Sequence, residues 1–495
     1  MKRTNSLVFS FAIIFAAALI SFNGCSSSGD NNNNTGDNDI DSVDGADNAE
    51  NVEYATIKTV VPTTEYAPVR NFVIKRALIH HHSPYSHDGC DEKPRLEDGS
   101  RNEECFEDLR ASICGNKIDY LFLTDHAAIF ADYEYPEVLL YKEGDTLIMR
   151  NEEPVANTVN CPDGHKTIVA AGTETGMMPI GIEHHIGKTP AERRAFYGLA
   201  TVDAANQLKE AGAKVFVFHT EEWELSKLIE LPLDGIEIYN THYNLMSNMM
   251  AAAGLILKLD AHPEEVLEFE LALMAVFQEN AKDMEHWANI LKVKPMVGIL
   301  ATDAHQNAFP GKTPDGDRLD SFRRLDHWFS NHLLLQKDAV MDDKTAKDAI
   351  GKGRLYGAFE YLGYPMGFDY RAELDGKTYE MGETVTVAGT YPTLTVKLPS
   401  VYMLDPNEPA PLFKTMILKA GDGVWTTVKE GTGDISFTPT EKGVYRSVVM
   451  IRPLHLTKHL GTIPESFLNA KDGTGKYWPW IYSNVIYVGV DYAAK

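Results

Sequence analysis

The residues best suited to chemistry lie between Ile79 and Gly89, in the run I-H-H-H-S-P-Y-S-H-D-G. An apolar stretch, Asn71 to Leu78, precedes them and reads as a strand feeding a tight turn. Side chains two apart on a strand share a face, so His80 and His82 form a compact bidentate clip for a metal ion. The turn Ser83-Pro84-Tyr85-Ser86 then brings His87, or Asp88, back toward the same point. A lone histidine would read as a solvated loop residue; imidazoles clustered at this spacing favour a metal. Other apolar runs end in the same kind of residue. Ile118 to Leu123 leads into Thr124-Asp125-His126, and Lys166 to Ala171 leads into Gly172-Thr173-Glu174. Gly181 to Gly187 carries His184 and His185, Lys214 to Phe218 ends at His219, and Pro295 to Ala301 runs into Thr302-Asp303-Ala304-His305.

Taken together these motifs resemble the PHP (polymerase and histidinol phosphatase) metallohydrolases, whose opening motif reads H-x-H-[ST]-x-x-S-D-G. His87 stands where that family has Asp. T-D-H is similar to the second motif, which implies His126 as a ligand and Asp125 as its support. Glu174 matches G-x-E, where the carboxylate bridges two metals, and His185, followed by an apolar residue and Gly, fits the next position better than His184. T-D-A-H resembles the closing G-S-D-A-H, with Thr302 in the Ser position. The resemblance spans roughly Val73 to Gly363. It implies His80, His82, His87, His126, Glu174, His185, His219, Asp303 and His305 as metal ligands for two or three divalent ions. Nitrogen and oxygen donors without thiolate suit zinc, manganese or iron. Neutral histidines leave such a site strongly positive once filled, so it should draw a small phosphorylated substrate. Hydrolysis of a phosphate ester by a metal-bridged hydroxide follows, with Asp125 or Asp303 relaying the proton. Arg318, Arg323 and Arg324 could reach the phosphate, or instead pair with Asp317, Asp320 and Asp326 around them. The alternatives are a metallohydrolase acting on an amide or lactone, and a cell-surface binding protein with structural metals.

The elements that must position these residues read as an α/β pattern. Apolar runs alternate with helical stretches to give about seven strands, most with ligand-type residues at the C-terminal end, as a (β/α) barrel would place them. The resemblance implies a distorted (β/α)7 barrel, agreeing with that count. Asp91 to Cys114 reads as a polar surface excursion and Ala127 to Gly164 as an irregular insertion near the site mouth. Thr201 is placed to cap a helix from Val202 to Ala211, with Gly212 at its stop. From about Tyr370, short alternating strands separated by Gly, Pro and Asp predict a C-terminal β-sandwich, with Trp478 and Trp480 in its core. The expected division is 1–24 signal, 25–60 tether, 61–369 barrel and 370–495 sandwich.

Composition sets the compartment. Lys2 and Arg3 precede an apolar run, Leu7 to Phe22, with the form of an export signal. Phe22-Asn23-Gly24-Cys25 resembles a bacterial lipobox, which implies lipidation of Cys25 and a cell-envelope location, with outer-membrane sorting suggested by Ser26. A plain secretory signal, giving a periplasmic or secreted protein, is the alternative. Ser26 to Glu53 has too little apolar content to fold and reads as a tether. Cys90, Cys105, Cys114 and Cys161 remain, an even number that predicts disulfides in an exported chain, with three connectivities open. Lys and Arg number 46 against 71 Asp and Glu, for a net charge of −25, and no basic stripe offers a nucleic-acid surface.

Overall fold

Strand β1, Phe72–His81, lies at the centre of the arrangement because it is buried on both faces and paired on both edges. The structure, a computed structural model, describes residues 54–248, 250, 254, 268–460, 468–469 and 474–492. The signal at 1–24, Cys25 and most of the tether lie outside the described residues. Among the described residues no helix is long and apolar enough to cross a membrane.

On one edge β1 runs parallel to β2, Tyr120–Leu123, which runs parallel to β5, Lys166–Ala170. Beyond β5 the sheet continues through an antiparallel hairpin, β3 at Thr146–Arg150 and β4 at Glu153–Asn160. Two further pairs complete the site-bearing part: β6, Met178–Ile180, antiparallel to β7, Lys214–Phe216, and β8, Gly235–Asn240, parallel to β9, Val297–Ala301. Short runs of backbone bonds link these pairs to their neighbours, among them Ile182 N–H to Ala171 O (2.8 Å), Asp234 N–H to Val215 O (2.7 Å), and Thr302 N–H to Ile79 O (3.1 Å) with Asp303 N–H to His80 O (2.7 Å). On its other edge β1 pairs antiparallel with β10, Ser330–Gln336, and β10 with β11, Leu355–Ala358. The parallel order of a (β/α) barrel therefore describes β1–β2–β5 and β8–β9, but not β6–β7 or β10. Alternate residues from these strands, among them Ala77, Ile79, Phe122, Ala170, Ile180, Phe216, Ile299 and Leu333, meet in one buried cluster. The period of two in the sequence is thus spent on a shared core.

Two segments differ from their sequence reading. The excursion after Asp91 contains a helix, Glu103–Gly115, whose buried Cys105, Phe106, Leu109 and Ile113 recur at helical spacing among the charges. The insertion after Ala127 holds the β3–β4 hairpin, with Val155, Ala156 and Val159 buried. The cysteines join as Cys90–Cys105 and Cys114–Cys161, fixing that helix at both ends. Thr201 caps its helix, Val202–Glu210, by accepting from Ala204 N–H at 3.2 Å.

The C-terminal strands continue the large sheet from β11 through Trp478–Val488, Gly443–Arg452, Leu412–Ala420 and Trp425–Gly431. A separate four-stranded sheet holds Asp369–Leu374, Lys377–Tyr379, Thr393–Lys397 and Ile435–Phe437. Tyr370, Leu394 and Val396 of that sheet share one core cluster with Ile417, Val448, Trp480 and Ile486. Glu53–Lys495 form one unit, with sheet and core both running through the expected boundary at 370. Deep in this unit Arg76 of β1 donates to Asn116 O at 2.6 Å and pairs with Glu360, which also receives Ser330 Oγ and faces His332 Nε2 at 2.8 Å. Removing one partner of so buried a pair costs about 3–5 kcal/mol, so this contact locks β1 against β10.

Candidate metal centre

The C-terminal end of β1 is where the backbone departs from regular strand geometry. His80 has a left-handed backbone, φ 65°, and the pairing of β1 with β2 slips between Ile79 and His81. The slip aims His80 Nε2 and His82 Nε2 at one oxygen, Glu174 Oε2, at 2.7 and 3.0 Å. His81 points away, its Nε2 2.9 Å from Asp326. His219 and Asp303 are also left-handed, at φ 46° and 49°. Non-glycine residues persist there only where the surrounding structure imposes it, a feature concentrated at functional sites.

Donor atoms of His80, His82, Glu174 and Asp303 all lie within 4.8 Å of one another, and so do those of His82, Asp88, His126 and His305. A smaller group, His242, Asp303 and His305, meets the same limit. Asp303 Oδ1 stands 3.1 Å from His80 Nε2 and 3.3 Å from His82 Nε2. His219 Nε2 bridges toward Glu174 Oε1 (3.4 Å) and Asp303 Oδ2 (3.5 Å). In the second group Asp88 Oδ2 is 3.1 Å from His126 Nε2 and 3.3 Å from His305 Nε2, and the rings of His82 and His305 stack at 3.8 Å.

The residues fit divalent cations. His82 Nε2 and Asp303 Oδ1 are buried and in ion-pair contact at 3.3 Å, yet neither makes a well-directed hydrogen bond, an arrangement that an ion between them would satisfy. The electrostatics agree. Burial opposes the charged form of His82, yet its contacts with Asp303 and Glu174 lift it to about 10. Burial is likewise outweighed at His219, which Glu221, Asp303 and Glu174 raise to about 10. Burial pushes the carboxyls of Glu174 and Asp303 upward, and His80 with His82 holds both below the usual range. The group therefore demands positive charge, which protons or metal ions can meet. Neutral imidazole and carboxylate donors suit zinc, manganese or iron.

No protein-family model matches the chain, and no curated protein does. A solved two-domain protein from Bacteroides vulgatus, described as containing a predicted PHP-like metal-dependent phosphoesterase, is similar at 11% identity over 85% of this chain and 98% of that one, with a TM-score of 0.31. So slight a likeness decides nothing. The reading rests on the geometry of the centre.

Of the expected ligands, the structure brings together His80, His82, His126, Glu174, His219, Asp303 and His305. His87 is not among them: its side chain is half exposed and stands 3.8 Å from Asp88, which takes its place. The turn shows why. A Cβ on Gly89 would fall 2.7 Å from Ser83 O, so Gly89 is the turn glycine and the D-G pair is Asp88-Gly89, with His87 as an extra residue before it. His185 is also elsewhere, its Nε2 2.8 Å from Tyr133 O and its Nδ1 3.1 Å from Tyr197 Oη, and burial lowers it to about 4. Asp125 holds the turn, accepting from Ser83 N–H (2.6 Å) and Ser83 Oγ (2.8 Å). Arg318 is bound to Asp91 (2.6 and 2.8 Å) and Asp320, and buried Arg324 pairs with Asp315. Arg323 pairs with Asp317 and Glu270. Each of the three arginines therefore meets at least one carboxylate, while Arg324 Nε and Nη1 have no hydrogen-bond partner.

Sequence reasoning missed Glu237, Asn240 and His242. The polar end of the run Asp234 to Asn240 was the available signal, but β8 is bulged between Glu237 and Tyr239, so strand parity misassigns its faces.

Proposed function

We propose that the protein is a metal-dependent hydrolase of small phosphate esters. One observation carries this: buried His82 Nε2 and Asp303 Oδ1 lack well-formed hydrogen bonds at the point where five further imidazoles and two further carboxylates converge. His80, His82, Glu174, His219 and Asp303 would hold one set of ions, with His242 beside Asp303, and Asp88, His126 and His305 a further one. Divalent ions there would acidify a water toward neutrality and offset charge on phosphoryl oxygens. His80 and His82, fully buried, form the floor and keep bulk water from it, while half-buried His126 and His219 face the substrate side.

A second reading, hydrolysis of an amide or lactone, draws on the arginines. Arg318 is held by Asp91 and Asp320 through Nε, Nη1 and Nη2, which leaves it little to offer as a phosphate clamp. Elemental analysis and a panel of phosphate, amide and lactone substrates, each with and without chelator, separate the two. Wild type should carry metal and cleave phosphate esters, and Glu174→Ala should lose both. Metallated protein that cleaves only amides or lactones would move the function to the second reading; protein that takes up no metal would end both. The proposal includes export and anchoring through Cys25, which fractionation of a Cys25→Ser variant checks: unchanged membrane retention would remove it.

A further inference from the structure

Glu237 lies behind the metal centre with no exposure and bonds to three parts of it. One oxygen, Oε1, accepts from His80 Nδ1 in a short contact. The other, Oε2, accepts from the backbone N–H of His219 at 2.9 Å and from Asn240 Nδ2 at 3.1 Å. Asn240 Nδ2 in turn donates to Asp303 Oδ2 at 3.1 Å. In a regular strand residues three apart face opposite sides. The bulge between Glu237 and Tyr239 turns Glu237 and Asn240 to the same side, and the twisted partner β9 delivers Asp303 next to them.

The consequences follow from hydrogen-bond inventory. A carboxylate accepts only, so Glu237 fixes one proton of His80 on Nδ1 and leaves Nε2, which stands 2.7 Å from Glu174 and 3.1 Å from Asp303, as the nitrogen that would take an ion in place of a proton. The same carboxylate anchors the left-handed backbone of His219, which has no glycine to relax the cost. Through Asn240 it also sets the rotation of Asp303. Glu237 has no donor atom in any of the candidate metal groups and is too far back to touch a substrate.

We infer that Glu237 and Asn240 are positioning residues: a buried dyad on β8 that fixes the imidazole tautomer of His80, the backbone of His219 and the rotamer of Asp303 for metal binding. This rests on the metal-centre reading above. Such outer partners typically tune metal affinity by about 10–100-fold. Glu237→Gln keeps the size but offers only one acceptor oxygen for the three donors, so its NH2 must oppose either the Nδ1–H of His80 or the N–H groups of His219 and Asn240. Asn240→Ala keeps Glu237 on His80 and His219 and removes the links to Asp303 and Glu237, together with the cap that Asn240 Oδ1 gives Tyr243 N–H at 2.9 Å.

The test uses the full mature chain, stripped and reloaded with Co2+, whose visible absorption reports ligand geometry. Affinity is read by competition with a chelator, and folding by near-ultraviolet circular dichroism. Glu237→Gln should fold, bind Co2+ about 10–100-fold more weakly and show an altered Co2+ spectrum. Wild-type affinity and spectrum in folded Glu237→Gln would overturn the inference. If Glu237→Gln does not fold, Asn240→Ala decides: tenfold weaker binding with a changed spectrum supports the dyad, and unchanged binding overturns it. Wild type that binds no Co2+ would instead bring down the metal-centre reading, and the dyad with it.

Discussion

The two disulfides should separate stability from site geometry. Cys90–Cys105 closes a loop of sequence separation 15 and Cys114–Cys161 one of 47. The chain-entropy relation gives about 3 kcal/mol for the first and about 4 kcal/mol for the second. On stability alone, removing Cys114–Cys161 is the larger loss. At the site the order reverses, because Cys90 stands two residues after Asp88 and its N–H donates to His305 O at 3.0 Å. Cys114 and Cys161 sit at the far end of their helix and beyond β4, and neither belongs to the metal groups. The double variants Cys90→Ser/Cys105→Ser and Cys114→Ser/Cys161→Ser can be compared by urea unfolding and by metal affinity. Asp91 N–H to Gln306 O (3.0 Å) and Asn307 Nδ2 to Asp88 O (2.8 Å) still tether the loop, so the first pair should loosen Asp88 and not release it. About a tenfold loss of affinity is expected there, with little change for the second pair despite its larger stability cost. Equal loss of metal in both variants would refute the argument, since affinity would then follow global stability and not the Asp88 loop.

Asp88→Asn should empty the group that includes His126 and His305, while His87→Ala should leave metal stoichiometry intact; elemental analysis of both checks which residue the turn presents. His185→Ala should cost about 2–3 kcal/mol in urea unfolding from its two hydrogen bonds and its packing against Phe130 and Tyr135, without loss of metal. Metal affinity should rise with pH, because His82 and His219 are held near 10 in the metal-free protein and an ion must displace their protons. Titration calorimetry in two buffers of different ionisation enthalpy measures that release. The same shifts predict the opposite trend for metal-free stability. Raised above the ordinary histidine value, both groups stabilise the fold fully below about pH 6.5, and that contribution is lost as pH rises through about 10. Thermal unfolding of stripped protein across pH 6 to 10.5 reads it.

Much of the centre was legible because each ligand-type residue follows its own apolar run. Contiguity of strand and ligand is a local property, so His80, His82, His126, Glu174, His219, Asp303 and His305 could be named from runs that end in polar residues. The parallel core strands and the presence of disulfides were legible for the same reason: apolar runs alternating with helical stretches and an even cysteine count need no knowledge of distant contacts.

Three things were decided only by the tertiary structure. Side-chain direction near the site depends on bulges in β1 and β8, and a single slipped residue flips every face that strand parity assigns; Glu237 and Asn240 were hidden in this way. The choice of Asp88 over His87 depends on how closely Gly89 passes Ser83, a distance within a turn that composition does not encode. The fate of charged and polar side chains depends on partners far along the chain. Arg318 meets Asp91, 227 residues away, and His185 meets Tyr133, 52 away, so residues that look free in sequence are already bound in the fold. A strand writes its own ligands into the sequence, but what those ligands face is set by whichever distant segment folds against them.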